Sequence, residues 1–254
     1  MARLKSISHG DRLTLVEHLD ELRARLLISV AVFGVALALC FWQNHLLLSL
    51  ANSPLPAAHR KLLTFGVTEP FTMTLTVSAY AALILSLPII LFQLYAFALP
   101  ALAHRERRLI LPLLVLIPIL FVGGVAFGYF VVLPAALSFL LGFNNSSFDV
   151  QVRASEYYSF FSSTLLACGI VFQVPVGILA VTRLGIVKVE QLTHNRRFAY
   201  LGCAVIAAAL PGVDPLSMLL EMVPLIALYE LSIVLARLFG APRATLPQPF
   251  PQEP

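Results

Sequence analysis

Six apolar runs decide what this chain can become. They are Leu26–Gln43, Thr74–Leu99, Leu109–Leu133, Tyr157–Leu184, Phe198–Leu210 and Leu216–Leu238. An α-helix rises 1.5 Å per residue, so roughly 20 apolar residues cross a hydrocarbon core of about 30 Å. Inside lipid every backbone N–H and C=O must be satisfied within the segment, which makes each run a helix. The 254 residues are 59% hydrophobic and 12% charged, whereas a soluble domain is about 25% charged. The expected fold is therefore an all-α integral membrane protein with six transmembrane helices. Pro88 is expected to kink the second span, and Gly169, Pro175 and Gly177 interrupt the fourth. The fifth run covers only about 20 Å as helix. It either extends through Arg196 and Arg197 or sits where the bilayer is thin.

Six spans put both termini on one side, and the basic residues say which. Arg3, Lys5, Arg12, Arg23, Arg25, Arg105, Arg107, Arg108, Arg183, Lys188, Arg196, Arg197, Arg237 and Arg243 fall on the terminal side. Arg60, Lys61 and Arg153 are left for the other. The positive-inside rule then makes both termini cytoplasmic. The net charge of +4 thus reports membrane orientation, and nucleic acid is not an expected partner. The organisation predicted is a cytoplasmic amphipathic segment (1–25), a six-helix domain (26–238) and a disordered proline-rich tail (239–254). Leu15, Leu19, Leu22 and Leu26 give the first segment a greasy face, suited to lying on the membrane surface before the chain enters lipid. The N-terminus is too polar, and the run after it too long, for a cleaved signal peptide. Cys40, Cys168 and Cys203 are odd in number and buried in apolar runs, so they read as core residues. Two outer loops are expected, at Asn44–Phe71 around Ser53-Pro54-Leu55 and at Gly142–Glu156, both rich in turn formers. Thr68-Glu69-Pro70 reads as the start of the second helix.

Few residues could carry chemistry. Glu17 and Glu21 share a helix face and repel, which favours an outside cation; equally, Glu21 can pair with Arg25, and Asp20 with Arg23, as ordinary surface pairs. Glu106 is the one carboxylate in the basic stretch His104-Arg105-Glu106-Arg107-Arg108. It can neutralise its neighbours or accept an incoming guanidinium in a fork that lysine cannot reproduce. Gln173, Glu221 and Glu230 lie within spans, where a carboxylate costs about 2.5–3.5 kcal/mol and must face protein or water. Gln173 and Glu230 can bind a partner or simply bond a neighbouring helix. Asp214-Pro215 fits an N-cap followed by a proline at the first helical position. Zinc-helix, nucleophile-elbow and phosphate-loop motifs are absent and the histidines are scattered, so no enzyme activity, metal or cofactor is expected.

These residues resemble the TatC family, the multi-span receptor component of the twin-arginine protein translocase. The resemblance runs from His18 to Glu230. Its most specific pieces are His18-Leu19-Asp20-Glu21-Leu22-Arg23-Ala24-Arg25 before the first span, and Glu106-Arg107-Arg108 after Phe97-Ala98-Leu99-Pro100. Ser53-Pro54-Leu55, Tyr129–Pro134, Phe172-Gln173-Val174-Pro175 and the segment from Asp214 to Glu230 support it. The family implies a receptor in the bacterial cytoplasmic (inner) membrane that binds twin-arginine signal peptides. It also implies export of folded proteins driven by the proton-motive force. The family's signal-binding carboxylates fall on Glu21 and Glu106, with Arg23 and Phe97 in the same cytoplasmic patch, and its mid-membrane polar position falls on Gln173. Single-span Tat proteins of the TatA and TatB type, lipid and further copies of the chain are the partners implied, with the single-span proteins along the fifth and sixth helices. Two positions depart from the pattern: Met218 replaces a glutamine, and Pro211-Gly212-Val213-Asp214 replaces Thr-Pro-Pro-Asp. The alternative reading is a secondary transporter for a small molecule or ion, with Gln173, Glu221 and Glu230 as its polar path. The lack of an internal repeat argues against it.

Overall fold

The computed structural model describes residues 15–56, 59–98, 110–144, 150–183, 186–210 and 215–239. They form ten α-helices: α1 Leu15–Trp42, α2 Asn44–Asn52, α3 Glu69–Ala98, α4 Ile110–Phe127, α5 Leu133–Gly142, α6 Ala154–Val171, α7 Val174–Arg183, α8 Val189–His194, α9 Arg196–Ala209 and α10 Pro215–Phe239. Among the described residues the extended pairing is one isolated bridge, Leu63 with Arg153. Five helical stretches are long and apolar enough to span: 19–42, 69–95, 115–142, 154–182 and 215–238. The sixth, α9, has 14 residues, about 21 Å; it begins at Arg196 but stays shorter than a hydrocarbon core of about 30 Å.

Three local outcomes differ from the sequence expectation. The charged turns before Leu26 and the apolar run after it form one uninterrupted helix, α1, rather than a separate surface segment leading into a span. The stretch 44–52, expected as loop, is helical, and Ser53-Pro54 follows its end. The third span does not stop at Leu133. It passes through a π-turn, Gly128–Val132, and continues as α5 to Gly142. Pro134 has no N–H to give Phe130, and the ladder widens there so that Leu133 N–H reaches Gly128 O. The fourth span breaks at Phe172-Gln173, as the expected interruption by Pro175 requires: Pro175 cannot donate to Val171 and its ring opposes that carbonyl.

The bundle is inside-out relative to a soluble one. Leu19, Leu22, Leu26, Leu27, Val30, Val35 and Leu39 of α1 are exposed, a lipid-facing surface, while Ser78, Ser86, Ser162, Thr164, Ser217 and Ser232 are buried. Small hydroxyls let helices approach, and three buried ones spend their protons within their own helix. Ser86 Oγ donates to Leu83 O at 3.2 Å, Thr182 Oγ1 to Ile178 O at 2.9 Å and Ser232 Oγ to Leu228 O at 2.6 Å. The closest approach is between α4 and α6. A Cβ on Gly124 would sit 2.6 Å from Cys168 O, and one on Gly169 would sit 2.7 Å from the Phe121 ring.

One end of the bundle is sealed by tyrosines. Tyr129 donates to Leu50 O at 3.0 Å, Tyr157 to Ala51 O, and Tyr158 to Asn52 Oδ1 at 3.1 Å. Tyr129 and Tyr157 thus bond backbone carbonyls in the last turn of α2, and Tyr158 bonds the side chain of its last residue. Pro54 is half-buried beside them and Leu55 is fully enclosed, so this corner is part of the core. At the other end, Leu91 and Tyr95 of α3 meet Ile117, Val176, Leu179 and Ala236. That end carries the residues singled out from sequence.

Candidate functional site

The first turns of α1 lie against the last turns of α3. Glu21 and Arg25 are four residues apart and share the face that looks at α3. Arg25 donates to one oxygen of Glu21 from two nitrogens, Nε at 3.0 Å and Nη2 at 2.6 Å. Its third nitrogen, Nη1, donates to Gln93 Oε1 on α3 at 3.0 Å. Ser29 Oγ donates to Arg25 O at 3.0 Å, one turn further on. The Glu21 and Arg25 side chains are about a quarter exposed, 27% and 24%. Phe97 follows Gln93 by one turn on the same face of α3 and is half-buried. Of the two pairings expected on α1, Glu21 with Arg25 is present. Arg23 is about 200° round the helix from Glu21 and fully exposed, so the structure does not bring those two together. Glu106 and its arginine neighbours lie outside the described residues, as do Asp214 and the tail 240–254.

Gln93 was not singled out from sequence. The available signal was an amide inside an apolar run, four residues before Phe97. That signal is weak, because such amides commonly join helices. Here the amide does so through an arginine.

Gln173 and Glu230 each bond a neighbouring helix. Gln173, in the break between α6 and α7, donates Nε2 to Ile117 O on α4 at 3.2 Å. Its Oε1 is buried and has no partner among the described residues. Phe172 lies against Phe127 beside it, ring centres 5.6 Å apart. Glu230 of α10 uses both oxygens toward α9: Arg196 Nη2 donates to Oε2 at 2.9 Å and Tyr200 O–H to Oε1 at 2.6 Å. Neighbouring Tyr229 donates to Leu192 O at 2.8 Å. Glu230 is a clamp between α9 and α10. Glu221 is 3% exposed on α10, within electrostatic reach of the Cys168 thiol. Among the described residues no three His, Cys, Asp or Glu side chains cluster as metal ligands would.

Two features were invisible in sequence. Glu69, at the start of α3, accepts Phe65 N–H at 2.7 Å and Gly66 N–H at 3.2 Å on Oε2, and Arg153 Nε at 3.1 Å on Oε1. Arg153 also lies over the Phe65 ring at 5.5 Å, and the backbone bridge of Leu63 to 152–154 runs alongside. This ties the loop before α3 to the start of α6. The second is an apolar groove of about 420 Å³ on α10, lined by Phe127, Leu216, Leu219, Leu220, Val223 and Pro224. Met218 faces away from it, into the α9–α10 core.

Comparison with known proteins agrees with this architecture. The family model of TatC, Sec-independent protein translocase protein, matches residues 17–224. The Sec-independent protein translocase protein TatC of Desulforapulum autotrophicum is 36% identical, covering 88% of this chain and 84% of that protein. The TatC of Escherichia coli K12 is 36% identical over 92% of each chain. The chloroplastic protein of Arabidopsis thaliana is 33% identical over 89% of this chain and 67% of its own length. A crystal structure of the twin arginine translocase receptor TatC superposes with a TM-score of 0.74 at 33% identity, covering 88% of this chain and 99% of that one. These matches span the α1–α3 end, the broken helix α6–α7 and the start of α10 together, and the chain belongs to the TatC family of Sec-independent protein translocase proteins.

Proposed function

We propose that the chain is the receptor of a twin-arginine translocase, docking signal peptides at the α1–α3 end. The observation that carries this is the state of Glu21. Its carboxylate is part-exposed at the bundle's edge and already coordinates a guanidinium through two nitrogens, so this position holds arginine chemistry in its own surroundings. A second carboxylate, Glu106, follows α3 in sequence and completes a pair for two arginines. Phe97 offers an apolar edge next to Gln93 for the residues after them. Arg23, on the exposed side of α1, serves the surrounding patch rather than Glu21 itself.

In this reading both termini are cytoplasmic, in a bacterial inner membrane, and export of folded cargo draws on the proton-motive force. The apolar part of the signal moves between helices toward Gln173, whose buried Oε1 can accept one hydrogen bond but brings no charge. Single-span Tat partners pack along α9 and α10, where the groove beside Leu219 and Val223 offers an apolar surface, and further copies of the chain associate. Glu69, Pro54 and Asp214 belong to the outer, structural face. The transporter alternative has no observation in its favour, since Glu230 is consumed by Arg196 and Tyr200.

The test is binding of a twin-arginine signal peptide to the full chain in lipid discs, against the same peptide with paired lysines. Preference for arginine is the expected result. Equal binding of both would remove the receptor reading.

A further inference from the structure

At the end of the bundle away from Glu21, the loop before α3 presents bare apolar side chains on a fixed backbone. Phe65 is 75% exposed and Val67 is fully exposed. Glu69 Oε2 accepts the N–H groups of Phe65 and Gly66, and Glu69 N–H donates to Gly66 O at 3.2 Å. Leu63 is bridged to Arg153 just before α6. These bonds keep Phe65 and Gly66 level with the first turn of α3. The apolar stretch 69–95 has 27 residues, about 40 Å of helix. That length matches a bilayer with its headgroup layers, about 40–45 Å, rather than the hydrocarbon core alone. The first turn of α3, and the loop with it, therefore lies among headgroups. Trp42, exposed at the end of α1, and Phe71, edge-on to Phe41 with ring centres 6.4 Å apart, mark the same level as an aromatic belt does.

The three basic residues that the sequence leaves for this end gather on the same loop. Arg60 and Lys61 are exposed, five and four residues before Phe65. Arg153 spends Nε on Glu69, lies over the Phe65 ring, and keeps 44% of its side chain exposed. Of the neighbouring carboxylates, Glu69 is enclosed by the loop, and Glu156 sits in the first turn of α6, where the helix dipole offsets it. We propose that this loop and Arg153 form a binding site for an anionic phospholipid, with the phosphate taken by Arg60, Lys61 and Arg153 while Phe65 and Val67 enter the acyl boundary. Cations beside protruding apolar groups, at headgroup depth, match a ligand that offers a phosphate and a chain together. A soluble anion would leave Phe65 and Val67 unused. The orientation proposed above makes this the outer leaflet. Through Glu69 and Arg153 one bound lipid holds the start of α3 and the start of α6 at a common depth.

The probe is a single tryptophan, Phe65→Trp in a Trp42→Phe chain, since Trp42 is the one natural tryptophan. The full chain in lipid discs is read by quenching with phosphatidylglycerol or phosphatidylcholine brominated in the upper acyl chain. Phosphatidylglycerol should reach half-quenching at a mole fraction about fivefold lower. Arg60→Gln with Lys61→Gln should remove that preference while quenching by phosphatidylcholine stays. Val67→Trp, at a fully exposed position, carries the same readout if Phe65→Trp does not assemble. Quenching by aqueous iodide and by neither lipid would put the loop in water and overturn the proposal. Equal quenching by the two lipids, or a preference that survives the double variant, would overturn headgroup recognition. Loss of the preference on adding excess glycerol 3-phosphate would reassign the cations to a soluble phosphate and overturn the lipid site.

Discussion

Two glutamate–arginine pairs stand at opposite ends of the bundle, and they are built differently. Along α3, Glu69 and Gln93 are separated by about 36 Å of helix. At the Glu69 end the carboxylate is 8% exposed, takes two backbone N–H groups of the adjoining loop on one oxygen, and takes Arg153, just before α6, on the other. At the Glu21 end the carboxylate is part-exposed, and its arginine comes from the next turn of its own helix onto one oxygen. Saturation of both oxygens, one of them by a residue 84 positions away, makes a lock, because every donor would be stranded if the acceptor left. A single local partner at a wet edge makes an exchangeable contact. The residue types are identical in the two cases. Their function follows from how many donors converge and from where in the chain they come.

The largest effect should come from breaking the exchangeable end. Glu21→Ala is expected to weaken twin-arginine peptide binding about 10–100-fold, the value of one or two charge-assisted hydrogen bonds. Thermal stability should hardly change, since the lost pair is a part-exposed i,i+4 contact. Isothermal binding curves and melting of the same preparation in lipid discs measure both. A large drop in melting temperature without loss of binding would place Glu21 with the locks.

Glu69→Ala should do the reverse. It strands Phe65 N–H, Gly66 N–H and the Arg153 guanidinium, so the melting midpoint should fall by several degrees and the segment 59–69 should become accessible to protease. Peptide binding by the surviving folded fraction should stay at the wild-type level. Binding that collapses in step with Glu69, at constant folded fraction, would mean the two ends are coupled through α3 and are not independent devices.

How much of this was legible in the sequence follows the range of each interaction. The spans could be read because lipid imposes one local rule on every residue of a long apolar run. Helix α2 could not, because the run His45–Ala51 is short, flanked by turn formers, and stabilised by tyrosine hydroxyls about 80–106 residues away. Of the three residues expected to interrupt the fourth span, Pro175 marks the break and Gly169 does not. That glycine serves the close approach of Phe121, whereas Pro175 acts on a carbonyl four residues back. At the site, Glu21 with Arg25 was readable as an i,i+4 pair, but the third member, Gln93, is 68 residues away. Glu69 with Arg153 and Glu230 with Arg196 lie 84 and 34 residues apart, and no periodicity announces such partners.

Salt should sharpen the contrast more gently. Raising salt from about 0.1 M to about 1 M shortens the Debye length from roughly 10 Å to roughly 3 Å. Binding at the part-exposed Glu21 edge should weaken several-fold over that range. The Glu69 lock, shielded from solvent and held largely by backbone donors, should keep the same protease protection. Equal salt sensitivity of the two would contradict the assignment of one as exchangeable and the other as fixed.

The smallest effect concerns Glu230, which has features of both classes. Like Glu69 it is bound on both oxygens and takes an arginine from a distant segment; like Glu21 it is part-exposed, at 35% of its side chain. Tyr200→Phe removes the donor to Oε1 and leaves Arg196 on Oε2, so the α9–α10 clamp loosens without stranding a charge. The melting midpoint should fall by about 2 °C, and twin-arginine binding should not move. That outcome would make saturation of both oxygens with a distant arginine, rather than exposure, the property that defines a lock. If signal-peptide binding weakens instead while the midpoint holds, exposure is the better criterion, and Glu230 joins Glu21 as a second carboxylate open to exchange.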